Sequence, residues 1–195
     1  MTYIKTDIPQ PGIVELLFYK GPTGKALSNL AQTLLHGPSP LTPGERELIA
    51  GHVSKLNQCE FCCESHSASA NHHFNDGGRT IGVLDTGIED SHLSGKMKAL
   101  LHVAGKVQKS GREVKPEDIE AAKKAGASDE EIHDTVLVAA AFCMYNRYVD
   151  GLRTNLPETK EEYVPMGARM ATKGYKYPPL FLRKFVIRSM QKKAG

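Results

Sequence analysis

Residues 42–66 read TPGERELIAGHVSKLNQCEFCCESH, and this stretch predicts two consecutive helices separated by a short break. Thr42 can cap the first helix, the proline after it suits the first helical position, and Glu45 occupies the place of a capping-box carboxylate. Apolar residues at helical spacing continue to about Asn57. A second helix is then expected to open at Cys59, so the stretch indicates a helical protein.

The rest of the chain carries the same helical signals. Pro116 opens a helix that a glycine closes, and Ser128 with Glu131 forms a second capping box. A glycine-rich turn is expected at 21–24, and no segment shows sustained strand alternation. The fold class is therefore predicted to be all-α. Outside the opening stretch, the predicted helices cover residues 13–20, 26–35, 116–125, 128–152 and 178–193.

The length of 195 residues fits one domain, 1–195, of ordinary size. The two capping boxes raise the alternative that this domain holds two similar helical halves. When the boxes are overlaid, two tyrosines occupy the places of two cysteines, so the second half (116–152) would lack the redox motif at 47–66. Independent use of one common cap explains the two boxes equally well.

The composition excludes several classes of function. A formal net charge of +3 and the absence of tryptophan argue against nucleic-acid binding. No signal peptide is evident, and the longest apolar stretch, 136–145, is about half of what a membrane crossing needs. That stretch is expected to form a helix buried on all sides. We therefore predict a cytoplasmic protein without membrane contact, whose closely spaced cysteines are redox-active, catalytic or metal-binding.

One sequence motif contains candidate catalytic residues. It consists of Glu47, eleven residues, then Cys59-x-x-Cys62, three residues, then His66. A helix that starts at Cys59 places Cys59 and Cys62 on one face, with the His66 imidazole one turn beyond Cys62. Cys62 falls in the first helical turn, where free backbone N–H groups and the helix dipole stabilise a thiolate. We therefore expect a stabilised thiolate at Cys62.

A low thiol pKa alone does not explain peroxide chemistry. Lowering a thiol pKa from ~8.5 to ~6 raises the thiolate fraction at pH 7 roughly thirtyfold. A thiolate of lower pKa is also a weaker nucleophile. Its rate constant falls by about a factor of 10 to 18, since the Brønsted slope is about 0.4–0.5. Catalysis must therefore come from positioning and from a proton supplied to the departing oxygen. His66, which can titrate near neutrality, and Glu47, which can orient it, are predicted to supply that proton.

This arrangement resembles the alkylhydroperoxidase D (AhpD) family, within the wider carboxymuconolactone decarboxylase-like fold. Glu47, Cys59, Cys62 and His66 stand at the positions of the family motif. The resemblance implies an AhpD-like multi-helix fold and a peroxiredoxin-type activity that reduces hydrogen peroxide or organic hydroperoxides. It also implies that Cys62 attacks the peroxide and that Cys59 donates a proton and then closes the disulfide. Glu47 and His66 would form the proton relay.

The resemblance further implies the source of the electrons. An external dithiol or lipoyl-type donor would reduce the disulfide, because the sequence carries no nucleotide-binding glycine motif, and no cofactor is expected. One position departs from the AhpD pattern, because Phe61 stands where that type has a second histidine. The chain looks more like the peroxidase-related branch of the family, and Phe61 is expected in the wall of the pocket.

Two other functions stay open. The first is a disulfide oxidoreductase on the same fold, with little peroxide activity. The second is a non-enzymatic redox sensor or metal-binding module, in which Cys59, Cys62 and His66 would supply three ligands. The fourth ligand would be Glu47, His73 or a residue from elsewhere. No metal is the expected outcome, because a second Cys-x-x-Cys is missing and His73 is expected on the surface.

The apolar segments also predict self-association. The run at 136–145 and the helices at 26–35 and 178–193 each offer an apolar surface. One domain of this size has limited interior for all three of them. We therefore expect a symmetric homo-oligomer.

Overall fold

The computed structural model of the protein describes residues 2–6, 8, 10–89 and 91–194, and within these ranges it contains helices but no strand. The predicted all-α fold class is thereby confirmed. None of the described helices combines the length and apolar character that a membrane crossing requires. The α-helices are α1 (Ile13–Tyr19), α2 (Gly21–His36), α3 (Pro43–Leu56), α4 (Glu60–Phe74), α5 (Val83–Thr86), α6 (Gly95–Lys109), α7 (Pro116–Lys124), α8 (Asp129–Gly151), α9 (Tyr163–Lys173) and α10 (Arg183–Ala194).

Both predicted capping boxes are present, and they start α3 and α8. The Glu45 N–H donates to the Thr42 hydroxyl at 3.2 Å, and the Thr42 N–H donates to the Glu45 carboxylate at 2.8 Å. Ser128 and Glu131 repeat both bonds, at 3.1 and 2.7 Å. Such a cap stabilises a helix by about 1 kcal/mol. The helices that follow differ, since α3 ends at Leu56 whereas α8 runs on for 23 residues. A duplication of halves therefore stays a prediction.

The centre of the molecule is α3. Every residue from 46 to 54 is buried, and the helix packs against α4, α6 and α8. A helix buried on all sides must carry apolar residues around its whole circumference, apart from polar groups that find partners. The largest fully buried apolar side chains on these helices are Leu48, Ile49, Val53, Leu100, Leu101, Val103, Val138 and Phe142.

The glycine-rich turn predicted at 21–24 is wrong, because α2 already begins at Gly21. A proline in the first turn starts the helix, where its missing N–H costs nothing. Gly24 does not form a turn, and it allows α2 to pack against α1. A Cβ at this position would lie 1.9 Å from the carbonyl oxygen of Leu17 on α1. Gly24 therefore lets two consecutive helices approach each other closely.

Two predictions near the C-terminus also need correction. The last α-helix starts at Arg183 instead of residue 178, because Pro179 keeps extended backbone (ψ 137°) and restricts the residue before it. In addition, α9 was not predicted, since Pro165 was expected to interrupt this region. Pro165 lies in the first turn of α9, where a backbone N–H has no helical partner to lose.

The apolar run at 136–145 is not buried on all sides within one chain. Val138 and Phe142 face the core at 0% and 2% exposure. Leu137 and Met144, however, are 40% and 42% exposed. The prediction of all-round burial is therefore wrong for the single chain, because only one face of α8 meets α3 and α6.

Candidate active site

A tight turn at the end of α3 directs the chain into α4. The Gln58 N–H donates to the Lys55 carbonyl and the Cys59 N–H donates to the Ser54 carbonyl, both at 3.0 Å. Gln58 itself has left-handed backbone, with φ of 59°. This pair of bonds is the Schellman motif, which satisfies the last carbonyls of a helix. As a result Cys59 becomes the N-cap residue of α4, and Cys62 lies in its first turn.

A polar chain fixes this turn against α8 and α6. The Asn57 amide donates to the Asn146 carbonyl oxygen at 2.8 Å, and the Asn146 amide donates to the Ser54 hydroxyl at 3.0 Å. From α6, the Gln108 amide donates to the Asn57 oxygen at 2.9 Å. Asn146 is only 1% exposed, so these bonds form largely without competition from water. The position of Cys59 therefore depends on three helices.

Cys59 and Cys62 are free thiols, and their exposed fractions are 0% and 3%. The hydrogen bond of the Cys59 thiol to Cys62, together with burial, raises the pKa of Cys59 well above its ordinary value. Cys59 therefore keeps its proton and donates it towards the Cys62 sulfur. The Asp150 carboxylate, near the end of α8, also bonds the Cys59 thiol, while burial raises the pKa of Asp150.

Behind the thiols lies a buried carboxylate–histidine pair. Glu47 is 0% exposed, and its Oε2 lies 2.6 Å from Nδ1 of His66. Because Nδ1 is engaged with Glu47, Nε2 is the His66 nitrogen left to exchange a proton at the site. The edge of Phe142 packs on the His66 ring, with 4.6 Å between the ring centroids and an 86° angle between the planes. The imidazole is thus held in one orientation, one helical turn beyond Cys62.

Tyr175 completes this group, and the sequence carried no signal for it. Its hydroxyl donates to Oε1 of Glu47 at 2.6 Å, so both carboxylate oxygens have a partner. Its ring lies nearly parallel to that of His66, at 15° and 6.0 Å between centroids. Burial and the negative charge of Glu47 raise the pKa of Tyr175, which keeps the hydroxyl protonated as a donor. Tyr175 follows Glu47 by 128 residues in the sequence, too far for any local pattern to connect them.

The site opens on a cavity of about 500 Å³ with mostly apolar walls. Cys62 and His66 face this cavity, and Phe61 forms part of its wall. The Phe61 ring packs against Tyr163, with 6.1 Å between the centroids. A cavity of this size holds a small organic molecule. Further lining side chains are Leu17, Leu27, Met166, Met170, Val186 and Met190.

One wall of the cavity comes from α9. This helix packs closely on α4 at Gly167, where an added Cβ would lie 2.4 Å from the backbone carbonyl carbon of Ala68. The close approach brings Met166 and Met170 to the cavity and leads the chain on to Tyr175. A side chain at Gly167 would therefore displace both the wall and the tyrosine.

The structure separates the thiols from the residues best suited to bind a metal. Among the described residues, one group of three suitable ligands comes together: His36, Glu47 and His73. The combination of Cys59, Cys62 and His66 does not form such a group within those residues. His73 is half-buried, so its predicted place on the surface is wrong. It lies in the last turn of α4, which faces the end of α2.

Part of the sequence is similar to a known protein family. The profile of the carboxymuconolactone decarboxylase family matches residues 22–73, which span α3 and nearly all of α2 and α4. This range contains Glu47, both motif cysteines and His66. No curated protein sequence matches the chain.

Several solved structures share the fold. An uncharacterized peroxidase-related protein from Silicibacter sp. TM1040 is 26% identical, with a TM-score of 0.70 over 79% of this chain and 78% of that one. A peroxidase-related protein from Ralstonia eutropha JMP134, described as an alkylhydroperoxidase AhpD core, is 25% identical, with a TM-score of 0.71 over 80% of each chain.

A third structure has the same fold at lower identity. It is a protein of unknown function from Agrobacterium tumefaciens, suggested to be the antioxidant defence protein AhpD. It is 22% identical, with a TM-score of 0.63 over 80% of this chain and 100% of that one. Together with the helical architecture, the family profile over residues 22–73 and the two peroxidase-related structures support an AhpD-like, carboxymuconolactone decarboxylase-like family for this chain.

Proposed function

We propose that this protein is a thiol-dependent peroxidase that reduces organic hydroperoxides, and hydrogen peroxide less efficiently, through a Cys59/Cys62 dithiol–disulfide cycle. One observation carries the proposal: the buried thiol pair lies at an apolar cavity that also contains His66, bonded to Glu47. The apolar walls favour organic hydroperoxides, because each buried CH₂ contributes about 0.8 kcal/mol.

The first step is the attack of Cys62 on the peroxide. The Cys62 proton passes to His66, and the thiolate attacks the terminal oxygen of ROOH. The O–O bond breaks, Cys62 becomes a sulfenic acid, and the alkoxide takes the proton back from the His66 imidazolium to leave as ROH. Glu47 stabilises the positive charge on His66 during this step, since its carboxylate lies 2.6 Å from Nδ1.

The second step closes the disulfide. The Cys59 sulfur attacks the Cys62 sulfur, the S–O bond breaks, and the hydroxide leaves as water after taking a proton from solvent. The Cys59 proton goes to Asp150, which bonds this thiol, and from there to solvent. Overall, two thiols and ROOH give a disulfide, ROH and water. Asp150 thus accepts the Cys59 proton, which the phenylalanine side chain at position 61 cannot do.

The disulfide must then be reduced by two electrons from outside. Because both sulfurs are buried, we infer that the donor is a narrow dithiol that enters the cavity, and a lipoyl arm meets this requirement. We also infer a cytoplasmic location, where the reducing environment keeps the four cysteines as thiols.

The two cysteines should behave differently when replaced. Cys62→Ser should abolish hydroperoxide consumption with a dithiol donor, because the attacking sulfur is missing. Cys59→Ser should complete one stoichiometric oxidation and leave a sulfenic acid on Cys62 that a dimedone-type probe traps. Cys63→Ser is the matched control, since this neighbouring thiol does not line the cavity, and it should keep parental activity.

Two results would contradict these roles. Probe labelling of Cys59 in an active Cys62→Ser protein would show that the two roles are reversed. A parent chain that exchanges disulfides with the donor but consumes no hydroperoxide would identify the protein as a disulfide oxidoreductase.

Asp150→Asn should slow disulfide closure without slowing the attack on peroxide. The amide cannot accept the Cys59 proton, so the sulfenic acid on Cys62 should accumulate in stopped-flow measurements. In the parent, closure should slow as the pH falls through the raised pKa of Asp150, because a protonated carboxyl is no base. Asp150→Asn should lack this pH dependence. Glu130→Gln, an exposed change at the other end of α8, should leave both steps and the pH profile as in the parent.

Tyr175→Phe should lower the rate of sulfenic acid formation about tenfold or more, the effect of losing a hydrogen bond to a charged group. The loss should appear in kcat while KM for an organic hydroperoxide stays within a factor of two, because the aromatic ring remains in the cavity wall. Tyr177→Phe is the matched control, since its hydroxyl bonds the Leu17 carbonyl instead of Glu47. Equal rates for Tyr175→Phe and the parent would remove Tyr175 from the proposed machinery.

Exposed apolar side chains at the C-terminal end support the predicted homo-oligomer. Phe181 and Phe185 are 84% and 72% exposed in the single chain. Light scattering at micromolar concentration should give a multiple of 21.3 kDa. The double variant Phe181→Ser/Phe185→Ser should shift the mass towards one chain with unchanged helical circular dichroism. A parent mass near 21.3 kDa would rule the oligomer out.

A further inference from the structure

The geometry points to a second site behind the thiols, in which His36, Glu47 and His73 bind a divalent transition-metal ion such as Zn²⁺. The three side chains come from the last turn of α2, from α3 and from the last turn of α4. One ligand atom from each lies within 4.8 Å of the others. Two histidines and a carboxylate form a common protein site for zinc and iron(II).

The two histidines present nitrogen atoms that lack a partner. Nε2 of His36 and Nε2 of His73 are buried, and neither atom forms a hydrogen bond with any residue that the structure describes. Buried polar atoms are rarely left in this state, because the lost hydration is not recovered. Nε2 of His36 lies 4.0 Å from the Glu47 carboxylate, too far for a hydrogen bond. A metal ion between these atoms would satisfy both nitrogens at once.

The surroundings of His36 resemble those of a metal-bound histidine. The Met170 backbone interacts with the His36 ring, and a backbone carbonyl is a common partner of the second nitrogen of ligating imidazoles. Arg46 adds a nearby positive charge, and the negative charge of Glu47 opposes it.

The donor set also selects the metal. Imidazole nitrogens favour zinc and similar ions, whereas Mg²⁺ and Ca²⁺ prefer oxygen ligands throughout. Tetrahedral zinc with bonds of ~2.0–2.1 Å places its ligand atoms about 3.3 Å apart. The ligand atoms lie at most 4.8 Å apart, so each pair must approach by no more than about 1.5 Å. Rotations of the two histidine side chains near helix ends can provide this movement.

The site shares Glu47 with the proposed peroxidase machinery. Oε1 of Glu47 is the acceptor for Tyr175 and also the oxygen nearest to His36. A bound metal would take this oxygen and weaken the hold of Glu47 on Tyr175. Zinc should therefore slow peroxide reduction, a consequence that rests on the proposed function, whereas the binding itself does not.

The experiment measures the metal content and the absorption spectrum of the reduced, chelator-treated protein, residues 1–195. After equilibrium dialysis against Zn²⁺, elemental analysis should find one zinc per chain, unaffected by excess Mg²⁺. His36→Gln and His73→Gln should each weaken binding at least tenfold, while His72→Gln, an exposed neighbour of His73, should bind as the parent does. Circular dichroism and melting of each variant check that it is folded.

Substitution with Co²⁺ tests the ligands without any variant. Nitrogen and oxygen ligation should give visible absorption and no sulfur-to-cobalt charge-transfer band. Such a band would show that the cysteines bind the metal and would overturn the proposal. Parent protein without bound zinc, or histidine variants that bind as tightly as the parent, would also overturn it. Peroxide turnover is assayed separately, so an inactive parent that binds zinc would reject only the peroxidase function.

Discussion

The carboxylate of Glu47 sits at the centre of α3 with no exposure to solvent, and it needs partners to remain charged there. His66 on α4 forms a hydrogen bond with Oε2, and Tyr175 after α9 donates one to Oε1. These bonds tie together three parts of the chain that are distant in sequence. Removing either partner would leave a buried charge half-satisfied, which is far more costly than losing a surface bond. The arrangement of the site follows from this requirement.

The same constraint bears on the proposed reactivity of the buried dithiol. A carboxylate that already has two partners holds the His66 imidazole in one orientation next to Cys62. Cys59 keeps its proton because of burial and its bond to Cys62, so the two thiols differ before any substrate arrives. In an apolar cavity these charges act with little screening by water. Positioning, more than a low thiol pKa, is therefore what the structure contributes to the proposed chemistry.

Glu47 also links the proposed peroxide site to the proposed metal site. Its two oxygens face two different groups, with His66 on one side and His36 on the other. A ligand that draws the carboxylate towards one side must weaken its contacts on the other. If zinc lowers peroxidase activity in this way, the coupling is reciprocal for binding: a substrate that needs Glu47 in place would weaken zinc binding.

Local sequence patterns determined much of this protein. The capping boxes at Thr42 and Ser128 place α3 and α8, because a cap depends only on residues three apart. The spacing of Cys59, Cys62 and His66 places all three on one face of α4 for the same local reason. The helix start after Pro179, the α9 helix and the contact at Gly24 were predicted wrongly or missed, since they depend on packing between elements.

Only the tertiary structure brought Tyr175, His36 and His73 to Glu47. Tyr175 and His36 lie in segments whose local sequence gives no sign of a functional role, and His73 was considered only as a ligand beside the thiols. The contacts of these residues with Glu47 arise where helix ends and the segment after α9 converge. A buried charge attracts partners through space, without regard to separation along the chain. Sequence spacing could therefore predict the thiols and their histidine, whereas the groups that surround the carboxylate were decided by how the helices pack.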